Sequence, residues 1–466
     1  MYHRNSRWRR PEPVRASPAP PFGPFGTLLE TITTTQLSVK ASAHVSSARV
    51  TDCSLVASYN WLDRSNPSIV VPGAPPRWTP VARPDKLRED SGVFYRDQNA
   101  ARYPKHPMEP AVQAVMTMHP QPLEKQVDLV ACGSTLGNLL RFVRGDERPF
   151  RMLAEVVDGV VHLIRRENSP RETIPNIHGY GHAFPDANTT WDGSVRGSES
   201  HQRILRYSFG GLGCIVRYEG DGYVEDKLES KISRGKHQSD KVCSVEEVIA
   251  SLGDNEIKAK IPDVSTRLQV QAGGFKVPQS AVFDLKTRSS KRKGCDILGE
   301  ELPRMWVSQI PNFVLAYHDH GVFNDIQVRD VSAEVRDWEK SMAKELSQLA
   351  ALLHHIIGTA RTRSEKKLEI CRQTLDKLEI RAQTPGLPSV LGPDLHSRWG
   401  AWLAAGKQGV GNNEKFVDDG GDDVDFANGG SGDWKHSELE WSDGEDSGGD
   451  YTACSQDCSY CGRCSY

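Results

Sequence analysis

The 466-residue sequence contains no apolar run approaching the roughly 20 residues needed to cross a bilayer, and its first residues hold no secretory h-region. The expectation is an intracellular protein, nuclear or cytoplasmic, without membrane association. A Gly-rich phosphate loop, a serine nucleophile elbow and a dinucleotide fingerprint are all missing, so the commonest nucleotide, ester and hydride chemistries have no support. An excess of one charge is missing too. Lys plus Arg number 58 against 61 Asp plus Glu, so binding to a polyanion would depend on where the cations sit rather than on their total. Six cysteines, Cys53, Cys132, Cys214, Cys243, Cys295 and Cys371, stand singly, as suits reduced thiols.

What is present favours one α/β domain with unlike ends. Apolar residues make up 37% and Pro and Gly number 28 and 40, so a core can form while much of the chain stays irregular. Residues 1–89, rich in Pro and Arg, are expected to be disordered, with the Pro-rich run 67–84 as a connector. Residues 90–400 carry the core pattern, interrupted by a polar insertion at 226–277. The tail 401–466 alternates Gly, Asp and Ser and cannot offset the entropy of ordering, so it is expected to be disordered and acidic.

Within the core, Val127–Cys132 reads as a strand, and Ser134 or Thr135 caps a helix ending near Val143. Asp158-Gly159 marks a two-residue hairpin turn between FRMLAEVV and VVHLIRR. Apolar residues from Val335 to Ile356 recur at three- and four-residue steps and predict one amphipathic helix over 331–360. The repeated KLEI at 367–370 and 377–380 predicts another hairpin. The fold class is α/β (α+β), a mixed central β-sheet flanked by helices.

Chemistry concentrates in LGCIVRYEGDGY (212–223) and AVFDLKTRS (281–289). Alternate side chains of a strand leave opposite faces, so Glu219 and Asp221 share a face, as do Asp284 and Lys286. If the two strands pair, three carboxylates and an ammonium converge, an arrangement suited to a divalent cation beside a phosphate. The alternative is a surface hairpin with ordinary ion pairs.

Asp221, Asp284-Leu285-Lys286 and Gln309 resemble the PD-(D/E)xK nuclease superfamily, and more closely its decapping-nuclease branch, where Glu-x-Asp precedes Glu-x-Lys. The resemblance implies a restriction-endonuclease-like core and a metal-dependent phosphodiesterase acting on nucleic acid. It also implies that Asp221 and Asp284 ligate Mg²⁺ with the Leu285 carbonyl, and that Lys286 stabilises the attacking hydroxide or the phosphate charge. Glu219 would be an outer ligand, and Gln309 would orient phosphate or Lys286. Asp284 stands where the branch has Glu, and Glu155 is the candidate for its upstream Glu.

RDQNAARYP (96–104), VACGST (130–135), YSFGGL (207–212) and FDLKTRS (283–289) also resemble an uncharacterised eukaryotic family whose members often carry the label geranylgeranyl pyrophosphate synthetase. That label implies paired DDxxD-type motifs on facing helices, whereas the comparable cluster here, Asp418-Asp419 with Asp422 to Asp425, falls in the Gly-rich tail. A third reading is a catalytically silent scaffold that contacts protein partners through the insertion and the tail.

Cys454, Cys458, Cys461 and Cys464 offer thiolates for Zn²⁺, with free or oxidisable thiols as the alternative. His178, His182, His318 and His320 read as turn residues. His201 and Arg203 either reach a phosphate or stand as solvated helix residues.

Overall fold

The computed structural model describes residues 23–83, 85–146, 148–174, 177–228 and 267–410, with side chains to residue 406. The described strands form two sheets. The larger has eleven strands, running β1 (Leu28–Thr33), β17 (Lys377–Ala382), β16 (Lys367–Thr374), β6 (Phe150–Val157), β7 (Val160–Arg165) and β5 (Leu129–Cys132). It continues through β10 (Leu212–Glu219), β9 (Ser198–Phe209), β2 (Thr51–Leu62), β3 (Ser68–Gly73) and β12 (Gln269–Gly274). The smaller has six, running β15 (Val322–Asp330), β14 (Asn312–Asp319), β13 (Val282–Ser289), β11 (Gly222–Tyr223), β4 (Arg77–Trp78) and β8 (Thr189–Thr190).

Period-two alternation decides which core each strand residue enters. Leu129 and Ala131 of β5, Leu205 and Tyr207 of β9, and Cys214 and Val216 of β10 pack in one apolar cluster. That cluster is covered by α4 (Gly133–Arg144), α6 (Ile297–Ser308) and α8 (Ala343–Thr362). Val130, Ile204 and Ile215 point the other way, into a second cluster under α3 (Glu109–Met118) and α9 (Pro393–Val410). There Trp399 is fully buried and stacks on Trp402 at 4.7 Å. Burying each large apolar side chain contributes about 1.5–3 kcal/mol, so the double cover is what makes the sheet the centre of the molecule. Shorter helices complete the described chain: α1 (Thr34–Ala41), α2 (Gln98–Arg102), α5 (Ala183–Asn188) and α7 (Ser332–Ser341).

The expected mixed sheet flanked by helices is found, with both hairpins in place. At the Asp158-Gly159 turn both residues have positive φ, 45° and 79°, as a two-residue hairpin requires. Several expectations need correction. Residues 23–89 supply β1 to β4, and β2 lies inside the large sheet with Tyr59 and Trp61 wholly buried. Strand β2 packs on both faces, so its sequence carries no clear alternation to read. The Pro-rich run contains β3, where Pro72 sits one strand from the sheet edge. Residues 269–274 of the expected insertion form β12, while 229–266 lie outside the described residues. The long helix is two, α7 and α8, parted at Met342. Helix α9 runs past residue 400. Among the described residues the architecture is mixed sheets with flanking helices rather than the facing helices implied by the prenyl-synthase label, and Asp418 to Asp425 and the four tail cysteines lie outside the described residues.

Candidate nucleic-acid cleft and buried charge junction

The chain passes from one sheet to the other at Gly220-Asp221. Strand β10 ends with Glu219 opposite Gln202 of β9, and Gly220 N then donates to His201 O at 2.9 Å. Two residues later Gly222 and Tyr223 pair with Phe283 and Val282 of β13. Only glycine fits at 222, because a Cβ would lie 2.3 Å from the Phe283 ring and 2.8 Å from Pro76 O. The expected pairing of the 212–223 and 281–289 segments is therefore confined to these two residues, and the one-face rule stops at Gly220. Glu219 stays on the face that Ile215 shares with α3, and Asp221 joins the small sheet.

One further step of the β11–β13 register sets Asp221 opposite Asp284, and Asp221 Oδ2 accepts from Leu285 N at 2.8 Å. On β13, Asp284, Lys286 and Arg288 alternate toward α6 and are 1%, 2% and 6% exposed, while Phe283 and Leu285 enter a small apolar cluster with Phe184 and Phe323. Helix α6 answers with Glu301 and Arg304, one turn apart on the same face. Arg304 pairs with Asp284 Oδ1 and places Nε 3.2 Å from Glu301 Oε2. Glu301 Oε1 lies 3.4 Å from Lys286 Nζ and 3.5 Å from Arg288 Nη2. Asp284 Oδ2 is buried without a hydrogen-bond partner.

Burial pushes Asp284 up to about 7 against the pull of Arg304, with Asp221 adding to the rise. Burial lowers Lys286, opposed by Glu301. Burial also works to raise Glu301, but Lys286, Arg304 and Arg288 together hold it below the usual carboxylate range. Three acidic side chains, Asp221, Asp284 and Glu301, thus meet three basic ones, Lys286, Arg288 and Arg304, so the junction is balanced in formal charge. No group of three or more His, Cys, Asp or Glu side chains arranged to hold a metal occurs among the described residues. With Arg304 already on Asp284, this arrangement does not fit the Mg²⁺ that the resemblance implies.

Other expected participants lie elsewhere. Gln309 caps the C-terminus of α6 with φ of 48°, and its Nε2 donates back to Trp306 O at 2.5 Å. Glu155 sits on β6, three strands or about 14 Å from β10; it accepts from Val390 N at 2.9 Å. His201 and Arg203 are strand residues of β9, 1% and 0% exposed, not solvated helix residues. Burial and then Arg203 hold His201 well below its ordinary value. Sequence reasoning did not single out Glu301 and Arg304, which stand on α6, a helix that Asp296 caps by accepting from Gly299 N at 2.9 Å. The Glu-x-x-Arg spacing was the available signal.

A cleft of about 1670 Å³ opens beside the junction on the α2, α3 and α9 side, and Glu219 is the expected site residue on its wall. Phe94, Tyr95, Tyr103 and Trp191 line it, with Tyr95 39% exposed. Six cations, Arg64, Arg102, Lys105, Arg171, Arg267 and Arg398, share it with five carboxylates, Glu109, Asp186, Glu199, Glu219 and Asp394, so its formal charge is nearly balanced. Ser200, 6% exposed on the same wall, has an Oγ without a hydrogen-bond partner. The segment 96–104 builds the rim. Asp97 caps α2 by accepting from Asn99 N and Ala100 N, and Asn99 Oδ1 accepts from Trp61 Nε1 at 2.9 Å.

This arrangement of sheets is similar in fold to that of solved Rai1 structures. Rai1 of Scheffersomyces stipitis, solved in complex with (3'-NADP)+ and calcium ion, matches with a TM-score of 0.51 at 12% identity, covering 82% of this chain and 100% of that one. S. pombe Rai1 in complex with 3'-FADP gives 0.48 at 11% identity, covering 77% and 100%. Candida albicans Rai1 in complex with pU5-Mn2+ gives 0.45 at 8%, covering 81% and 97%. At such identities the likeness is one of fold. Comparison with curated proteins finds no match. The chain belongs to the family described as Domain of unknown function (DUF8563), whose model spans residues 28–379.

Proposed function

We propose that this protein binds single-stranded nucleic acid in the cleft, on a nuclease-like scaffold whose buried junction does not cleave it. The observation that carries the reading is the cleft itself, whose lining combines Phe94, Tyr95 and Trp191, and the edge of the buried Tyr103, with six cations. Bases stack on aromatic faces irrespective of sequence, and interspersed guanidinium groups hold phosphates. The buried Ser200 Oγ gives a ligand a polar partner at the wall. A nucleotide-bound Rai1 of the same fold supports the assignment of ligand class. Protein partners at the insertion and tail are compatible with this reading.

The second reading is the phosphodiesterase, with Asp221 and Asp284 on Mg²⁺, Lys286 at the phosphate, and Glu219 and Gln309 assisting. The unpartnered Asp284 Oδ2, opposite Asp221, is the observation in its favour. It requires Arg304 to leave Asp284. Labelled single-stranded RNA and DNA incubated with the full chain, in Mg²⁺ and in EDTA, separate the two readings. Binding equal in both buffers without products is expected. Mg²⁺-dependent products that disappear in Asp221→Ala, Asp284→Ala and Lys286→Ala would establish the hydrolase instead, and no binding to either strand would remove both.

A further inference from the structure

We propose that Arg304 is the resident cation of the strand-switch junction: it occupies the carboxylate pair Asp221–Asp284 against divalent metal, and a metal site opens there only when its guanidinium is removed. The proposal rests on the reading of the junction as closed, and it adds the residue that closes it.

Two carboxylates brought opposite each other, Asp284 buried and Asp221 half-buried, need positive charge close by. The chain supplies it from α6, where Arg304 pairs with Asp284 Oδ1. A guanidinium that merely visited Asp284 would yield to a dication. This one is held from behind, because its Nε also lies 3.2 Å from Glu301 Oε2, so a single planar fork spans two buried acids. Glu301 is fixed in turn, with Lys286 and Arg288 at 3.4 and 3.5 Å from its other oxygen. Arg304 thus cannot swing away without giving up its contacts to Asp284 Oδ1 and Glu301 Oε2 together. A dication arriving beside it would meet twice the repulsion of a unit charge at the same distance.

What would remain after removing the guanidinium is an oxygen donor set. Asp284 Oδ2 already lacks a hydrogen-bond partner at 1% exposure, Oδ1 would be released, and Asp221 stands across the register. Hard oxygen donors of this kind suit Mg²⁺, Mn²⁺ or Ca²⁺.

The test uses the full chain and Mn²⁺ as probe, read as thermal unfolding in EDTA and in millimolar Mn²⁺. Wild type, Asp284→Asn, Arg304→Met and the double variant Asp284→Asn/Arg304→Met are compared. The expected result is the same Mn²⁺ response in wild type and Asp284→Asn, a Tm rise of about 2 °C or more in Arg304→Met, and loss of that rise in the double variant. A rise in wild type that Asp284→Asn abolishes would overturn the proposal, as would an unresponsive Arg304→Met. Should Arg304→Met not fold, Mn²⁺ titration followed by electron paramagnetic resonance decides. Equal numbers of bound ions in wild type and Asp284→Asn are expected, and one fewer in Asp284→Asn would overturn it. Nucleic-acid binding in EDTA is a separate readout, so failure here leaves the cleft reading standing, and the reverse holds too.

Discussion

Replacing Glu301 by Gln keeps the shape of the junction and removes its central charge. The carboxylate is wholly buried and serves Arg304 at 3.2 Å, Lys286 at 3.4 Å and Arg288 at 3.5 Å. At an effective dielectric near 20, one unit pair at that separation is worth about 5 kcal/mol before desolvation is counted. Removing one partner of a buried pair costs about 3–5 kcal/mol, because the others are left uncompensated. Glu301→Gln adds no cavity, so a loss of about 4 kcal/mol is expected, read from urea unfolding followed by tryptophan fluorescence. Adding Lys286→Met removes one stranded cation, and the double variant should be at least about 1 kcal/mol more stable than the sum of the single losses implies. A loss below about 1 kcal/mol for Glu301→Gln, or simple additivity, would show that the buried charges do not act as one network.

Further outcomes follow from single residues. His162 is buried, with its Nε2 accepting from Trp399 Nε1 at 3.1 Å, and burial lowers it to about 4. The unfolded chain takes up this proton first, so between about pH 6.5 and 4 the fold should lose about 3 kcal/mol that is fully present above 6.5. Urea titrations across that range check it, and His162→Gln should flatten the slope. Gly222→Ala should cost about 1–3 kcal/mol by forcing β11 off Phe283, and an unchanged urea midpoint would contradict the close approach. Because six cleft cations face five carboxylates, log K for RNA against log salt should slope between about −1 and −3. A slope of about −6 would assign binding to cations elsewhere.

Elements with one clear period were legible. The Asp158-Gly159 hairpin, the KLEI hairpin and β5 followed by α4 lie where turn chemistry and alternation put them, although the N-cap of α4 is Cys132 and Ser134 and Thr135 stand inside the helix. Strands β2 and β3 were not legible, because Pro72, Asn60 and Ser58 interrupt the apolar pattern while their polar groups are satisfied inside the fold. Ser58 Oγ donates to Pro72 O, and Asn60 Nδ2 donates to Ala74 O, contacts that only the finished fold supplies. At the candidate site, the neighbourhood of Asp221, Asp284 and Lys286 was readable from strand parity. The parting of Glu219 from Asp221 was not, since it depends on Gly220 and Gly222 carrying the chain between two sheets. Glu301 and Arg304 come from α6, an element separate from the two strands, so strand parity could not point to the acid and the cation that the helix adds to the junction.

The cleft is the central claim, and photo-crosslinking tests it most directly. Single-stranded RNA carrying 4-thiouridine is bound to the full chain in EDTA, irradiated, and the adducts are mapped by mass spectrometry. Adducts at Phe94, Tyr95, Tyr103 or Trp191, with Tyr95→Ala weakening binding by about 1–3 kcal/mol, are the expected result. Adducts confined to residues 1–22 or 411–466, with the cleft aromatics unmodified, would contradict it.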